Sequence, residues 1–480
     1  MAKCKIGVFS VGFFRYWPQF PGLREKLEKY RVDFEERVRA FGVEVVSAGL
    51  VDTTERGYEA GDLFAREQVD MIFCDVTTYV QSCMVLPVAQ RGKAPMVLIG
   101  LQPTPGMEPE KATTFLQLEH DNCTSLPEIA CACERANIPV HDIIFGMLYD
   151  DERAWREIRE WTEVAGVVHT LRNARLGFMG HTFEWMLDMQ SDPAMLEGHF
   201  GLHVEMLEMG DLHQRVDAVS DEQVNTRVKE IKDFFHFPPP GAEKIAGPVT
   251  EESLQWSARI SVGLDAMVKD FDLTGLAYYY HGRYAQKYED LIAGMIVGNS
   301  LLTGRGVPVA GEGDLKNCVA MLIMDRFGAG GSFAELHPAN FNDDYVLVGH
   351  DGPGHIAISD EKPILRGLSL YHGKAGHGAS VEFKIKTGPI TILGLTQTFD
   401  GRFKFVAAEG ESMPGAIPAT GNTNTRGRFA PDVATFVERW SKAGPTHHFA
   451  LSIGHNLSRM KKLSKVLGME MEVIAEGSSI

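Results

Sequence analysis

The sequence has few cysteines, no cysteine pair at zinc-ribbon spacing and no long apolar run. Of its 480 residues, seven are cysteines, and no two of them are separated by two residues. A zinc ribbon or a redox dithiol is therefore disfavoured, and the odd number of cysteines is typical of free thiols in a reducing compartment. Because no apolar run reaches about 18 residues and no signal-peptide pattern precedes the first strand-like segment, we expect a cytoplasmic protein.

Positive charge is also scarce. The chain has 64 acidic side chains against 47 of lysine and arginine, which gives a formal net charge of -17. Non-specific binding to nucleic acid or to an anionic membrane needs a basic face, so we expect neither as a partner. A nucleotide-dependent oxidoreductase is disfavoured as well, because the first strand-like segment leads into Gly12-Phe13-Phe14 without a GxGxxG motif.

The pattern of apolar segments predicts three domains of two kinds. Residues 1–173 and 174–329 alternate short apolar strands with amphipathic helices, which is typical of parallel sheets covered on both faces. We expect two doubly wound, Rossmann-like α/β domains in these ranges. Residues 330–480 change to strands and turns, which predicts a mainly antiparallel β domain with helices.

Within this last domain the strand-like segments are separated by turn signals. Ala379–Thr387, Pro389–Thr398 and Phe403–Glu409 are predicted to form an antiparallel meander. Two predicted helices, Val433–Ser441 and Leu457–Leu467, end the chain.

Two acidic segments are candidates for chemistry. Glu312 and Asp314 lie on a glycine-flanked turn between a strand-like run and a predicted helix, where α/β folds place ligands. Asp314 alone could be a helix cap, but Glu is a poor capping residue. Glu335 follows the glycine-rich run 328–331. An acid in an apolar strand could also simply occupy its solvent face.

Histidines beside glycine-rich turns complete the candidate set. His350 ends an apolar strand, and His447 and His448 follow a Gly-Pro turn. Because adjacent strand residues point to opposite faces, we expect at most one of these last two to reach a given site. Two carboxylates and two imidazoles without thiolates suit a hexacoordinate Mn²⁺, Co²⁺ or Mg²⁺ ion better than a structural zinc.

These segments resemble motifs of the L-arabinose/L-fucose isomerase family. Ala310–Asp314 is similar to the AGEGD segment of L-arabinose isomerases, and Ser332–Glu335 is similar to their SFxE segment. Leu347–His350 resembles the family's strand that ends in a metal histidine, and Ala443–His448 resembles its GGAHHT turn. The four segments occur in the family's order with similar spacing.

The resemblance implies a metal-dependent interconversion of an aldose and its ketose through a cis-enediol. Glu312 and Glu335 would hold the ion and exchange protons, and His350 and His448 would complete the ligands. We expect the ion to be Mn²⁺, with Co²⁺ and Mg²⁺ as alternatives. Proton abstraction beside a carbonyl needs a base and stabilisation of the developing oxyanion, which this set can supply.

The resemblance also implies a homotrimer or homohexamer, in which the first domain of a neighbouring subunit completes the active site. The loop Arg15–Phe20 follows the first strand, and we expect Arg15, Tyr16, Trp17 and Gln19 to contact the sugar. The alternative is that these aromatic residues pack in the core of their own domain. The loop departs from the family's pattern, which leaves the identity of the sugar open.

Three further alternatives remain open. The same residues could serve a sugar epimerase, an aldolase or another enediol-forming metal enzyme, or could remain in a non-catalytic sugar-binding relative. A hydride shift could also replace the enediol.

Overall fold

The computed structural model describes residues 3–239, 241, 247–281, 286–351, 353–368 and 377–477. The chain divides into two compact units, Met1–His169 and Thr170–Ile480. The predicted three-domain division at residues 174 and 330 stays a prediction. Among the described residues, no helix combines the length and the apolar character that a membrane-spanning segment requires.

The first unit is built on one parallel sheet with the strand order β2-β1-β3-β4-β5. Strands β1 and β3 are buried along almost their whole length, as expected where helices cover both faces of a sheet. The elements in chain order are β1 (Lys5–Val11), α1 (Tyr16–Gln19), α2 (Leu23–Arg39), β2 (Glu44–Val51), α3 (Thr54–Glu67), β3 (Met71–Val76), α4 (Leu86–Gly92), β4 (Met96–Gln102), α5 (Thr114–His120), α6 (Ser125–Arg135), β5 (Val140–Met147) and α7 (Glu152–Asn173).

The second unit begins with a smaller parallel sheet of order β7-β6-β8-β9. Its elements are β6 (Arg175–Gly180), α8 (Pro193–Phe200), β7 (His203–Leu207), α9 (Met209–Asp217), α10 (Asp221–Phe234), α11 (Glu251–Asp270), β8 (Gly275–Tyr279), α12 (Gln286–Gly294), α13 (Ile296–Gly304), β9 (Val309–Ala310) and α14 (Leu315–Arg326). Helix α14 is buried from Leu315 to Met324, because its apolar residues run all round the helix.

The rest of the second unit is mainly antiparallel. Its elements are β10 (Gly330–Asn340), β11 (Tyr345–His350), β12 (Ile364–Gly367), β13 (Ala379–Glu382), β14 (Gly388–Gln397), β15 (Phe403–Met413), β16 (Thr423–Arg428), α15 (Val433–Lys442), β17 (Phe449–Ile453), α16 (Leu457–Leu467) and β18 (Glu470–Ala475). Seven strands follow the order β14-β17-β10-β11-β16-β15-β18, and β14 also pairs with β15. That pairing closes six strands into a barrel and removes their free edges. The predicted fold class, α/β followed by antiparallel β, is confirmed.

The predicted meander is wrong in its first strand. Strands β14 and β15 form the expected hairpin, but β13 pairs with β12 in a separate two-stranded sheet. The cause is a buried ion pair, in which Arg366 of β12 donates two hydrogen bonds of 2.7 Å to Glu382 of β13. A pair of buried charges separated by sixteen residues holds the two strands together.

Candidate metal centre

The turn between β9 and α14 places two acids at the carboxyl end of the smaller parallel sheet. Glu312 has φ +58°, a conformation that is uncommon for a residue with a side chain and that recurs at functional sites. Gly313 follows with φ +73°, and a Cβ there would lie 2.5 Å from the carbonyl oxygen of His181. Only glycine therefore fits between Glu312 and the residues that follow β6.

Asp314 is both a helix cap and a partner of a histidine. Its Oδ1 accepts a 2.9 Å hydrogen bond from the amide of Asn317, which caps α14. Its Oδ2 lies 3.2 Å from Nδ1 of His448, and both side chains are fully buried. The capping function considered from the sequence is present, and the contact with His448 adds a second function.

Strand pairing positions Glu335 beside His350. Glu335 of β10 is opposite Gly349 of β11, so the next residue, His350, brings its Nε2 to 3.9 Å from Oε1 of Glu335. The ring of Phe333 packs with its centroid 4.4 Å from the rings of both His350 and His448. Glu335 keeps 23% side-chain exposure, so it is neither in the core nor on an open solvent face.

The expectation that only one of His447 and His448 could reach the site is wrong. Nε2 of His448 lies 3.5 Å from Oε2 of Glu312, and Nε2 of His447 lies 4.0 Å from Oε2 of Glu335. The two ring centroids are 3.9 Å apart. Alternation of faces does not apply, because both residues precede β17, which begins at Phe449.

The predicted residues thus converge in the second unit. The potential ligand atoms of Glu312, His447 and His448 lie within 4.8 Å of one another, and so do those of Glu335, His350 and His448. His448 belongs to both groups and links Glu312 to Glu335. Whether these residues ligate a metal stays a prediction.

All three histidines have the same arrangement around the ring. Nδ1 of His350 is 3.1 Å from Asp351, Nδ1 of His448 is 3.2 Å from Asp314, and Nδ1 of His447 is 2.7 Å from Asp188. These partners assign the Nδ1 proton and leave each Nε2 directed at Glu312 or Glu335, an arrangement typical of metal-ligating histidines.

A second observation also indicates that these side chains suit a divalent cation. Oε2 of Glu312 and Nε2 of His448 are both buried, and neither has a hydrogen-bond partner among the residues that the structure describes. A buried polar atom without a partner is costly, and a cation bound by both atoms would satisfy them. The mixture of carboxylate oxygens and imidazole nitrogens suits Mn²⁺ or Co²⁺.

Burial and neighbouring carboxylates move the histidine pKa values apart. Burial lowers the pKa of His448 despite Asp314, so its imidazole is held neutral, as a metal ligand requires. Burial also opposes the charge on His350 and His447, but Asp351 and Asp188 respectively outweigh it and raise the pKa of each. The hydrogen bonds from His447 in turn hold the pKa of Asp188 well below its ordinary value, although burial opposes this.

Sequence reasoning missed the residues that orient this centre. Asp188 accepts hydrogen bonds from both the amide (2.9 Å) and the ring of His447. Lys316 is buried in α14, and its Nζ donates to the carbonyl oxygens of Asp188 (2.9 Å) and Gln190 (2.8 Å). Asp188 follows no recognisable motif, but a lysine inside the apolar helix α14 was a usable signal, because buried lysines need partners.

The predicted sugar-binding residues of the first unit lie on and beside α1. Tyr16 and Trp17 pack against the apolar cluster of Leu23, Leu27 and Leu118, and the Trp17 indole donates a 2.8 Å hydrogen bond to Asp52. Both aromatic residues therefore pack at the edge of their own unit's core, where they are only partly buried. Arg15 and Gln19 are exposed, and the contribution of the loop to sugar binding stays a prediction.

Comparison with known proteins identifies the family. Residues 189–330 match the L-arabinose isomerase central domain, and residues 330–470 match the L-arabinose isomerase C-terminal domain. The chain is 26% identical over 344 residues to the L-arabinose isomerase of Nocardioides sp. (strain ATCC BAA-499 / JS614), which covers 69% of this chain and 66% of the relative. It is also 26% identical over 344 residues to the L-arabinose isomerase of Escherichia coli O7:K1 (strain IAI39 / ExPEC). That match covers 70% of this chain and 67% of the relative. The matched region spans about two thirds of each relative, and the chain is a divergent member of the L-arabinose isomerase-like family.

Proposed function

We propose that this protein is a divalent-metal-dependent aldose–ketose isomerase. The observation that carries the proposal is the convergence of Glu312, Glu335, His350 and His448. Buried atoms of Glu312 and His448 also lack a hydrogen-bond partner within the described part of the chain. The relatives of this chain are named L-arabinose isomerase, and that name supports the same reaction class.

Glu312, Glu335, His350 and His448 would hold the cation, with Mn²⁺ as the first choice and Co²⁺ or Mg²⁺ as alternatives. When bound, such an ion polarises the substrate carbonyl and stabilises negative charge on the oxygens of the first two carbons. Asp351 and Asp314 fix the rings of His350 and His448 from behind, so neither ring has to reorganise on binding.

Glu312 and Glu335 would transfer the protons. Isomerisation removes a proton from the carbon next to the carbonyl and returns one to the adjacent carbon, while a proton also moves between the two oxygens. Two carboxylates that face the same histidine cluster can divide these transfers between them. Phe333 packs against two of these histidines and covers the cluster with an apolar ring, which strengthens the electrostatic interactions inside.

We also propose a cytoplasmic homotrimer or homohexamer in which Arg15, Tyr16, Trp17 and Gln19 of one chain contribute to the sugar site of the next. The resemblance to the family supports this proposal. Light scattering on a size-exclusion column would test the assembly. An Arg15→Ala/Gln19→Ala double variant that assembles normally should show a raised KM, whereas a fully active monomer would contradict the shared site.

The decisive experiment combines metal exchange with product analysis. The EDTA-treated protein is supplied separately with Mn²⁺, Co²⁺ or Mg²⁺ and incubated with a panel of aldopentoses and aldohexoses in D₂O. We expect a ketose that carries deuterium, formed only with metal. A ketose without deuterium would favour a hydride shift, an epimeric aldose would favour an epimerase, and sugar binding without any product would favour a non-catalytic relative.

A further inference from the structure

The cavity beside the metal-binding residues extends well beyond them. It has a volume of about 460 Å³, and Glu312 and His350 are among the residues that line it. Trp185, His281 and Glu289 also line it. If Glu312 and His350 hold the first two carbons of a sugar, its remaining carbons would lie in this cavity, beside the other side chains that line it.

The loop that carries Trp185 is held to the metal-binding turn at both ends. At its start, the amide of Phe183 donates a 3.0 Å hydrogen bond to the carbonyl oxygen of Glu312. At its end, Lys316 binds the carbonyl oxygens of Asp188 and Gln190. The loop is thus fixed relative to Glu312, which is what a substrate-recognition element needs.

Trp185 is exposed although it sits on this anchored loop. Its side chain is 70% exposed, while the ring of Phe183 contacts it edge-on at 5.3 Å. Phe183 in turn packs against Tyr279 at 4.7 Å, with ring planes 30° apart. An indole that is supported from within the fold and open to a cavity offers a large apolar face at low conformational cost.

His281 and Glu289 add a polar pair next to this indole. Nδ1 of His281 lies 3.4 Å from Oε1 of Glu289, and its ring centroid is 5.9 Å from that of Trp185. The carboxylate orients the imidazole, whose other ring nitrogen can then donate a hydrogen bond to a hydroxyl group or accept one from it. Burial and the charges of Glu312, Glu184 and Glu289 raise the pKa of Tyr279, so the field at this end favours neutral hydroxyls over phosphate or carboxylate groups.

We propose that Trp185 and the His281–Glu289 pair form a recognition site for the end of the sugar remote from the metal-binding residues. The indole stacks on the C–H face of the sugar, and His281 binds one of its terminal hydroxyls. This inference rests on the proposed isomerase function and deepens it, because it assigns the discrimination between sugars to the second unit.

The test uses the full-length protein with Mn²⁺ and the aldose that the wild type converts fastest. Trp185→Ala should raise KM about three- to tenfold with kcat nearly unchanged, and Trp185→Phe should recover part of this loss. The matched control is Leu187→Ala, which removes a 78% exposed apolar side chain from the same loop outside the cavity lining and should leave KM unchanged.

Deoxygenated sugars test the hydrogen bond from His281. The wild type is assayed with two deoxy analogues of this aldose, one without the hydroxyl at carbon 4 and one without the hydroxyl at the terminal carbon. For one of the two, kcat/KM should be about three- to tenfold lower than for the parent aldose. His281→Ala should abolish that difference, because the missing hydroxyl no longer has a partner.

The outcomes separate the two proposals. A wild type that forms no ketose from any aldose would overturn the isomerase function. An active wild type whose KM is unchanged by Trp185→Ala, or whose preference for the hydroxyl survives His281→Ala, would overturn the recognition site alone. A Trp185→Ala variant that changes only the assembly state would also overturn it and would make Trp185 a subunit contact.

Discussion

The substitution Asp314→Asn tests how the proposed metal centre is oriented. Asp314 is buried, with Oδ1 on the amide of Asn317 at 2.9 Å and Oδ2 on Nδ1 of His448 at 3.2 Å. Asparagine has the same size and can keep the cap through its carbonyl oxygen. Its amide nitrogen would then face Nδ1, so His448 must move its proton to Nε2 to accept that hydrogen bond.

The tautomer change has a calculable effect on metal affinity. A protonated Nε2 points at Oε2 of Glu312, 3.5 Å away, and no longer offers a lone pair to a cation. Loss of such an orienting partner typically costs about 10- to 100-fold in metal affinity, which is about 1.4–2.8 kcal/mol. Because the cap and one hydrogen bond survive, the stability of the metal-free protein should change by less than about 1 kcal/mol.

Two further variants make the test specific. Asp314→Ala loses the cap and leaves Nδ1 of His448 without a partner, so it should also lose about 2–4 kcal/mol of stability. Asp432→Asn alters a cap of α15 that accepts a 2.9 Å hydrogen bond from the amide of Thr435, and metal affinity should not change. Calorimetric titration with MnCl₂ and urea unfolding measure the two quantities. If Asp314→Asn binds Mn²⁺ as tightly as the wild type, the orienting function of Asp314 is refuted.

Three other predictions follow from the same structure. Glu312→Gln or Glu335→Gln should lower kcat at least about 100-fold at unchanged melting temperature, whereas the exposed Glu438→Gln should not; near-normal kcat would remove that residue from proton transfer. Burial raises the pKa of Asp75 to about 7, so the folded state binds this proton more tightly and stability falls as pH rises from about 4 to 7. Asp75→Asn should therefore stabilise the protein against urea by up to about 4 kcal/mol at pH 8 and by nearly nothing at pH 4, and an equal effect at both pH values would contradict this. Lys316→Met should speed amide hydrogen exchange in residues 182–191, measured by mass spectrometry, and unchanged protection would show that the Lys316 hydrogen bonds do not hold the loop.

Local sequence patterns predicted the elements well where one local signal dominates. Helix α16 was predicted at its observed bounds, Leu457–Leu467, because apolar spacing and the following Gly468 mark both its face and its end. The prediction of the meander was wrong because β13 pairs with β12, to which the buried Arg366–Glu382 ion pair joins it. No local sequence pattern reveals this ion pair. Strand pairing depends on contacts between distant residues, so periodicity cannot fix it.

The residues of the candidate site show the same contrast between local signals and contacts with distant residues. Glu312, Glu335, His350 and His448 could be selected from the sequence, because each stands beside a glycine-rich turn and resembles a family motif. Asp188 could not, since its partner His447 is 259 residues away. Tyr16 and Trp17 are partly buried in their own unit, and their expected contact with the sugar stays a prediction. Trp185 could not be selected from the sequence, because it lies in an irregular loop without periodicity, and its indole is exposed beside the second unit's cavity.

The short segment Gly311–Lys316 explains why these parts work as one centre. Glu312 presents a carboxylate to the site, Asp314 orients His448, and Lys316 anchors the loop whose Asp188 holds His447. The positive φ angles of Glu312 and Gly313 end β9, and the Asp314 cap begins α14 immediately afterwards. A change of backbone conformation anywhere in this turn would therefore displace a carboxylate, two histidines and the loop that carries Trp185 together. We infer that the strained turn persists because α14, buried along ten residues, holds it in place.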